Sequence, residues 1–173
     1  METDKKHIIL KRRADLLRVK PFEAGIIKNE ISGLEFLIGN EHYVIETQFI
    51  TEVQHLQSLT PLPCTPAFIE GITYFRGKIM AVISLRKFLN LSENSLTNQN
   101  RIIYLSHEGL EFGVLADEIY GDITINGDLL QKEFHGISGV LKTILKGIDS
   151  DGRILLNAIL LLNDESVIIN DEV

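Results

Sequence analysis

Five histidines, one cysteine and a few acidic clusters are the residues whose types could carry catalysis or hold a metal ion. His7, His42, His55, His107 and His135 are scattered, and none has a second His or Cys at metal-ligand spacing, so each reads as a turn or surface residue. Cys64, between Pro63 and Thr65, has no activating motif and reads as structural or incidental. Ser138 sits in Gly136-Ile137-Ser138-Gly139, which lacks the fifth position of a nucleophile elbow. Asp149-Ser150-Asp151-Gly152 starts like a calcium loop, but apolar residues fill the remaining ligand positions, which favours a plain hairpin turn. Asp117 and Glu118 are adjacent, yet neighbours on a strand point to opposite faces and need not meet. Gly121 to Gly127 has neither phosphate-loop spacing, and no Lys-Ser/Thr follows it. These patterns imply neither an enzyme nor a cofactor nor a metal site.

One cation has a different setting. Arg76 lies in Phe75-Arg76-Gly77-Lys78, a turn signal inside the run Gly71 to Arg86. A planar guanidinium projecting from such a corner can be gripped by a carboxylate through two hydrogen bonds. Composition alone reads it as an ordinary solvated turn residue.

The elements that would position Arg76 are strands. Leu34 to Glu46 alternates around Gly39-Asn40 as a hairpin, and a helical turn at 47–51 leads to a short strand through Val53 and Leu56. Pro61, Pro63 and Pro66 punctuate a loop before Gly71. Ser92 to Asn100 is polar and reads as an exposed loop. Arg101 to Ser106, Leu110 to Ala116 and Ile119 to Ile125 read as three successive strands, and 126–143 as irregular. A last hairpin, Ile144 to Ile148 and Arg153 to Leu156, precedes a short helix that Asn157 caps. The fold class is mostly β, and the strands cluster at 33–86 and at 101–125 plus 144–156, which suggests two sub-barrels.

The 173 residues can bury a core without disulfide or metal, and a single cysteine fits a reducing compartment. Neither a secretory signal nor an apolar run long enough for a membrane span is visible, which reads as soluble and intracellular. The net charge of −7 is uneven: residues 1–20 hold seven Lys/Arg and three Asp/Glu (+4), and the remainder ten and twenty-one (−11). An acidic body repels nucleic acid. Residues 4–19 have helical spacing, with Leu10, Ala14 and Leu17 on one face. A solvated terminal helix, a partner-docking helix and a membrane-surface helix all fit that pattern. The expected organisation is a basic helical extension and linker at 1–32, one domain at 33–165 and an acidic tail at 166–173.

The segment Thr65 to Arg86 resembles the signature of the CheW-like chemotaxis coupling domain, TPxFIxGxxNLRGxIxPVxDLR. Thr65, Pro66, Phe68, Ile69, Gly71, Arg76, Gly77, Ile79, Val82, Leu85 and Arg86 occupy matching positions. Leu34 to Val44, Phe112 to Ile125 and Leu141 to Asn157 resemble further family segments in the same order, with Ala116 standing for a Val. Tyr74-Phe75 replaces the family's Asn-Leu, Ala81 its Pro and Ser84 its Asp. The resemblance implies two SH3-like five-stranded barrels sharing a core, here with an N-terminal helical extension. It also implies a non-catalytic cytoplasmic adaptor, held at receptor arrays on the inner membrane face. Such an adaptor couples the cytoplasmic tip of methyl-accepting chemotaxis receptors to the regulatory domain of the histidine kinase CheA, without entering the membrane. The divergent residues beside Arg76 and the basic helix leave open an adaptor of another chemosensory pathway, for pilus motility or second-messenger signalling. Arg76, with Phe75 and Gly77, is expected at a partner surface, oriented by Glu52. A groove between the barrels is expected to be lined by Ile50, Val53 and Val114.

Overall fold

The computed structural model describes residues 29–92, 96–97, 99–133 and 139–164. The expected N-terminal helix, the acidic tail, His7, His135 and Ser138 lie outside them. The strands are β1 (Glu30–Ile38), β2 (Glu41–Glu46), β3 (Ile50–His55), β4 (Ile69–Phe75), β5 (Lys78–Ser84), β6 (Arg101–His107), β7 (Leu110–Ala116), β8 (Glu118–Asn126), β9 (Leu145–Ile148) and β10 (Ile154–Leu156). Three short α-helices accompany them among the described residues: α1 (Leu85–Phe88) and α2 (Val140–Ile144) between strands, and α3 (Ala158–Leu162) after β10. β1 begins before Gly33, so the end of the expected linker is strand. No helix among the described residues is long and apolar enough to cross a membrane.

The strands form two five-stranded sheets, β3-β6-β7-β5-β4 and β8-β1-β2-β10-β9. Membership does not follow the sequence clusters 33–86 and 101–125 plus 144–156. The second sheet takes β1 and β2 from the start of the domain and β8 to β10 from its end, while β6 and β7 join the first. Hydrophobic alternation shows which face of a strand is buried, but not which distant strand completes its ladder.

Both sheets follow one plan. Each has antiparallel, antiparallel, parallel and antiparallel pairings in order. Each first edge strand bulges at one residue, Thr51 between Ile50 and Glu52 in β3, and Tyr120 between Ile119 and Gly121 in β8. Each last edge strand also bulges, at Glu70 in β4 and Lys146 in β9, next to Gly71 and Gly147. The chain leaving each first edge strand then bridges to the last one, Thr60 to Ile72 and Gln131 to Ile148. These bridges draw the two edges of a sheet together and cover backbone groups that would otherwise be open. Gly71 permits the first closure: a Cβ there would lie 2.5 Å from the Thr60 carbonyl oxygen.

Each sheet packs apolar residues on both faces, while its edge strands stay partly open. Phe75, Met80, Val82, Ile102, Tyr104 and Leu115 fill the first, and Ile31, Val44, Ile125, Leu130 and Leu155 the second. Between the sheets lies a larger shared core that includes Phe36, Ile45, Ile83, Ile103, Val114 and Leu156. Equivalent caps follow β5 and β10. The Ser84 hydroxyl accepts from the Lys87 N–H, and the Asn157 side chain accepts from the Leu160 N–H. Ser84 stands where the family signature has Asp, and this departure keeps a capping oxygen.

Candidate functional site

Arg76 and Gly77 are the two central residues of the β4–β5 turn, with Phe75 opposite Lys78. Both have positive φ, 47° and 85°, the conformation a tight two-residue hairpin demands. Gly adopts it freely and Asn readily. For Arg it costs about 1 kcal/mol or more, because Cβ crowds the following carbonyl.

Two contacts hold the side chain. Arg76 Nη2 donates to Glu52 Oε2 at 2.5 Å, and the guanidinium carbon lies 5.3 Å from the centre of the Phe75 ring. Phe75 stacks in turn on Tyr104, with centroids 3.8 Å apart and planes 15° apart. Gln54 Nε2 donates to the other Glu52 oxygen at 2.6 Å. That bond and the Arg76 guanidinium hold the Glu52 carboxyl below the usual carboxylate range. Burial is the main cause that pushes the Tyr104 phenol up. β3 and β4 are opposite edges of the sheet, so the Arg76–Glu52 pair spans its seam beyond the Thr60–Ile72 bridge.

The site residues expected from sequence fall into four groups. Arg76, Gly77 and Glu52 come together at the corner, and the Arg76 side chain is 62% exposed. Phe75 is buried beneath Arg76, where it can support the cation but offers little surface to a partner. Ile50 and Val53 are half-buried against the shared core. Val114 is fully buried, and this corrects its expected place on a groove wall. In β7 it pairs with β6 on one side and β5 on the other, inside the shared core.

Two exposed residues at the corner were not among those expected. Tyr74 and Ile79 are directly opposite each other across the hairpin, each 71% exposed. They border a cavity of ≈ 370 Å³ whose wall also includes Gln57, Ser58 and Thr60. Alternation held the signal, since Thr73 and Phe75 point inward and Tyr74 between them must point out. On the other side of the tip, Lys78 Nζ meets Glu111 Oε2 at 2.8 Å.

Arg86, the last residue of the signature, has another place. Its side chain is nearly buried and pairs with Asp117. Asp117 also accepts from the Gly39 N–H at 2.7 Å and from Asn100 Nδ2 at 3.1 Å. Arg86 Nη1 donates to the Ser92 carbonyl at 2.8 Å. Asp117 lies at the crossing from β7 to β8, so this ion pair joins the two sheets. Asp149 and Asp151 close a hairpin turn by binding Arg153. Among the described residues, no group of three or more His, Cys, Asp or Glu could hold a metal ion.

Comparison with known proteins gives a consistent match. The CheW-like domain family model matches residues 32–170. The chain is 28% identical over 133 residues to "Chemotaxis protein CheW" of Bacillus subtilis, covering 77% of this chain and 85% of that protein. It is 24% identical over 117 residues to "Protein PilI" of Pseudomonas aeruginosa, covering 68% and 66%. The crystal structure of the scaffolding protein TtCheW from Thermoanaerobacter tengcongensis superposes with a TM-score of 0.67 at 27% identity, covering 74% of this chain and 89% of that one.

Proposed function

The chain belongs to the CheW-like domain family, and on that premise we propose that it is a chemosensory scaffold whose Arg76 corner is a docking point. Proteins of this family are non-enzymatic adaptors, and the relatives include chemotaxis proteins. On this reading the partners are the regulatory domain of a histidine kinase and the cytoplasmic tip of a chemoreceptor. The scaffold holds them together by mass action, with no chemistry of its own. Each closed sheet corresponds to one SH3-like barrel of the family, and the domain expected at 33–165 starts three residues earlier, with β1 at Glu30.

The observation that carries the docking assignment is the conformation of Arg76. A turn needing two positive φ values would be better served by Asn or Gly. The cation is nonetheless kept there, exposed and held by Glu52 and Phe75. Holding it in one geometry lowers the entropy lost when a partner carboxylate engages it.

A reconstituted assay of receptor-stimulated kinase activity tests the proposal. Arg76→Glu is expected to leave the fold intact and to reduce activation at least tenfold. Full activation by that variant would remove Arg76 from the docking surface. A second reading, an adaptor of another chemosensory pathway, is supported by Tyr74 and Phe75 where the signature has Asn-Leu. Exchanging these two residues for Asn-Leu and measuring binding to kinases of each pathway separates the two.

A further inference from the structure

Because the two sheets share one plan, the Arg76 corner has a counterpart in the second sheet. Tyr104 in the first sheet and Glu35 in the second occupy equivalent positions, each pairing with the residue just past the bulge, Glu52 and Gly121 respectively. In the first sheet Tyr104 supports Phe75 and so the hairpin-tip Arg76. In the second, Glu35 Oε2 lies 3.4 Å from Nε of Arg153, beside the β9–β10 turn.

The bulge residue of this counterpart is Tyr120, which is 55% exposed. Its ring meets His42 edge-on with centroids 4.8 Å apart, and His42 Nδ1 lies 2.7 Å from Glu35 Oε1. Bulges turn a side chain away from the ladder's regular alternation, and this one presents an aromatic ring to solvent. The charge around it is net negative, although Arg101 lines one cavity with Glu118. Arg153 is taken up by Glu35, Asp149 and Asp151. Glu118 and Asp122 flank Tyr120 on β8, exposed and without an ion pair among the described residues. The Arg76 corner has the opposite character, an exposed cation beside apolar Tyr74 and Ile79.

We propose that the Tyr120 corner is a second docking surface, fitted to a basic segment of a partner protein whose Lys or Arg lies over the Tyr120 ring. A cation is attracted to an exposed tyrosine face, and Glu118 and Asp122 steer it there. A scaffold that bridges two proteins needs two separate surfaces, and the shared plan supplies one on each sheet. The inference therefore rests on the scaffold reading.

The test measures the affinity of the full chain for the kinase regulatory domain and for the receptor tip separately. Tyr120→Ala should weaken one partner about tenfold and leave the other within about twofold, a free-energy difference of about 1.4 kcal/mol. Tyr120→Phe, which keeps the ring, should retain binding. The double variant Glu118→Gln/Asp122→Asn should flatten the salt dependence for that same partner, and Arg76→Glu should weaken the other. Four outcomes overturn the inference while the scaffold reading stands: Tyr120→Ala changes neither affinity, it weakens the partner that Arg76→Glu weakens, its salt dependence is untouched by the double variant, or it alters only self-association in sedimentation. Wild-type protein that binds neither partner overturns both.

Discussion

At the scale of single residues, Arg76 is a poor turn former with two modest supports. Replacing it with Gly relieves about 1 kcal/mol of backbone crowding, while an exposed ion pair contributes little to folding. Arg76→Gly should therefore leave the thermal midpoint unchanged or higher, as a thermal melt would show, and a fall of several degrees would make the residue structural. Glu52 gives the corner an acid limit. Its folded pKa is depressed, first by the Gln54 hydrogen bond and then by Arg76, so its contribution is present at neutral pH and is lost as pH falls through the depressed value. Partner binding should weaken below the ordinary carboxylate range in wild type, and Glu52→Gln should be weak at all pH values. An identical acid profile in the variant would place the titration elsewhere. Arg76 was legible in sequence because a glycine-flanked turn between apolar runs marks a corner. Val114 was not, because it lies in a continuous apolar run, Phe112 to Ala116, that is buried on both faces and so has no alternation to read.

At the scale of elements, the hairpins declared themselves through their turn residues and period-two patterns. The short helices Leu85–Phe88 and Val140–Ile144 did not, since a single turn is too brief to show a helical period. Asn157 announced its helix because a side-chain cap is a local signal. The joint between the sheets was invisible, as Arg86 and Asp117 are distant in sequence and meet only when α1 and the β7–β8 crossing come together. Asp117→Ala would leave a nearly buried Arg86 and the Gly39 N–H without their partner. A loss of about 2 kcal/mol is expected, less than for a fully buried pair because Asp117 is partly exposed. Chemical denaturation checks this; a loss below about 0.5 kcal/mol would class the pair with surface ion pairs. Gly71→Ala should also destabilise, since its Cβ meets the Thr60 carbonyl rather than a side chain that could move aside.

At the scale of the whole molecule, two sheets built on one plan enclose a shared core while keeping different corners. The mostly β class and the two clusters of strands are legible in the sequence. The strand partners are not, because β2 pairs in parallel with β10 across more than a hundred residues. The exposed cation at the first sheet's corner serves assembly rather than folding. That role is tested most directly by the amount of kinase that the chain retains on receptor-bearing membranes, with Arg76→Asn compared to wild type. Asn suits the turn and removes the cation, so an equal or higher thermal midpoint is expected together with at least tenfold weaker retention. Retention equal to wild type would contradict it.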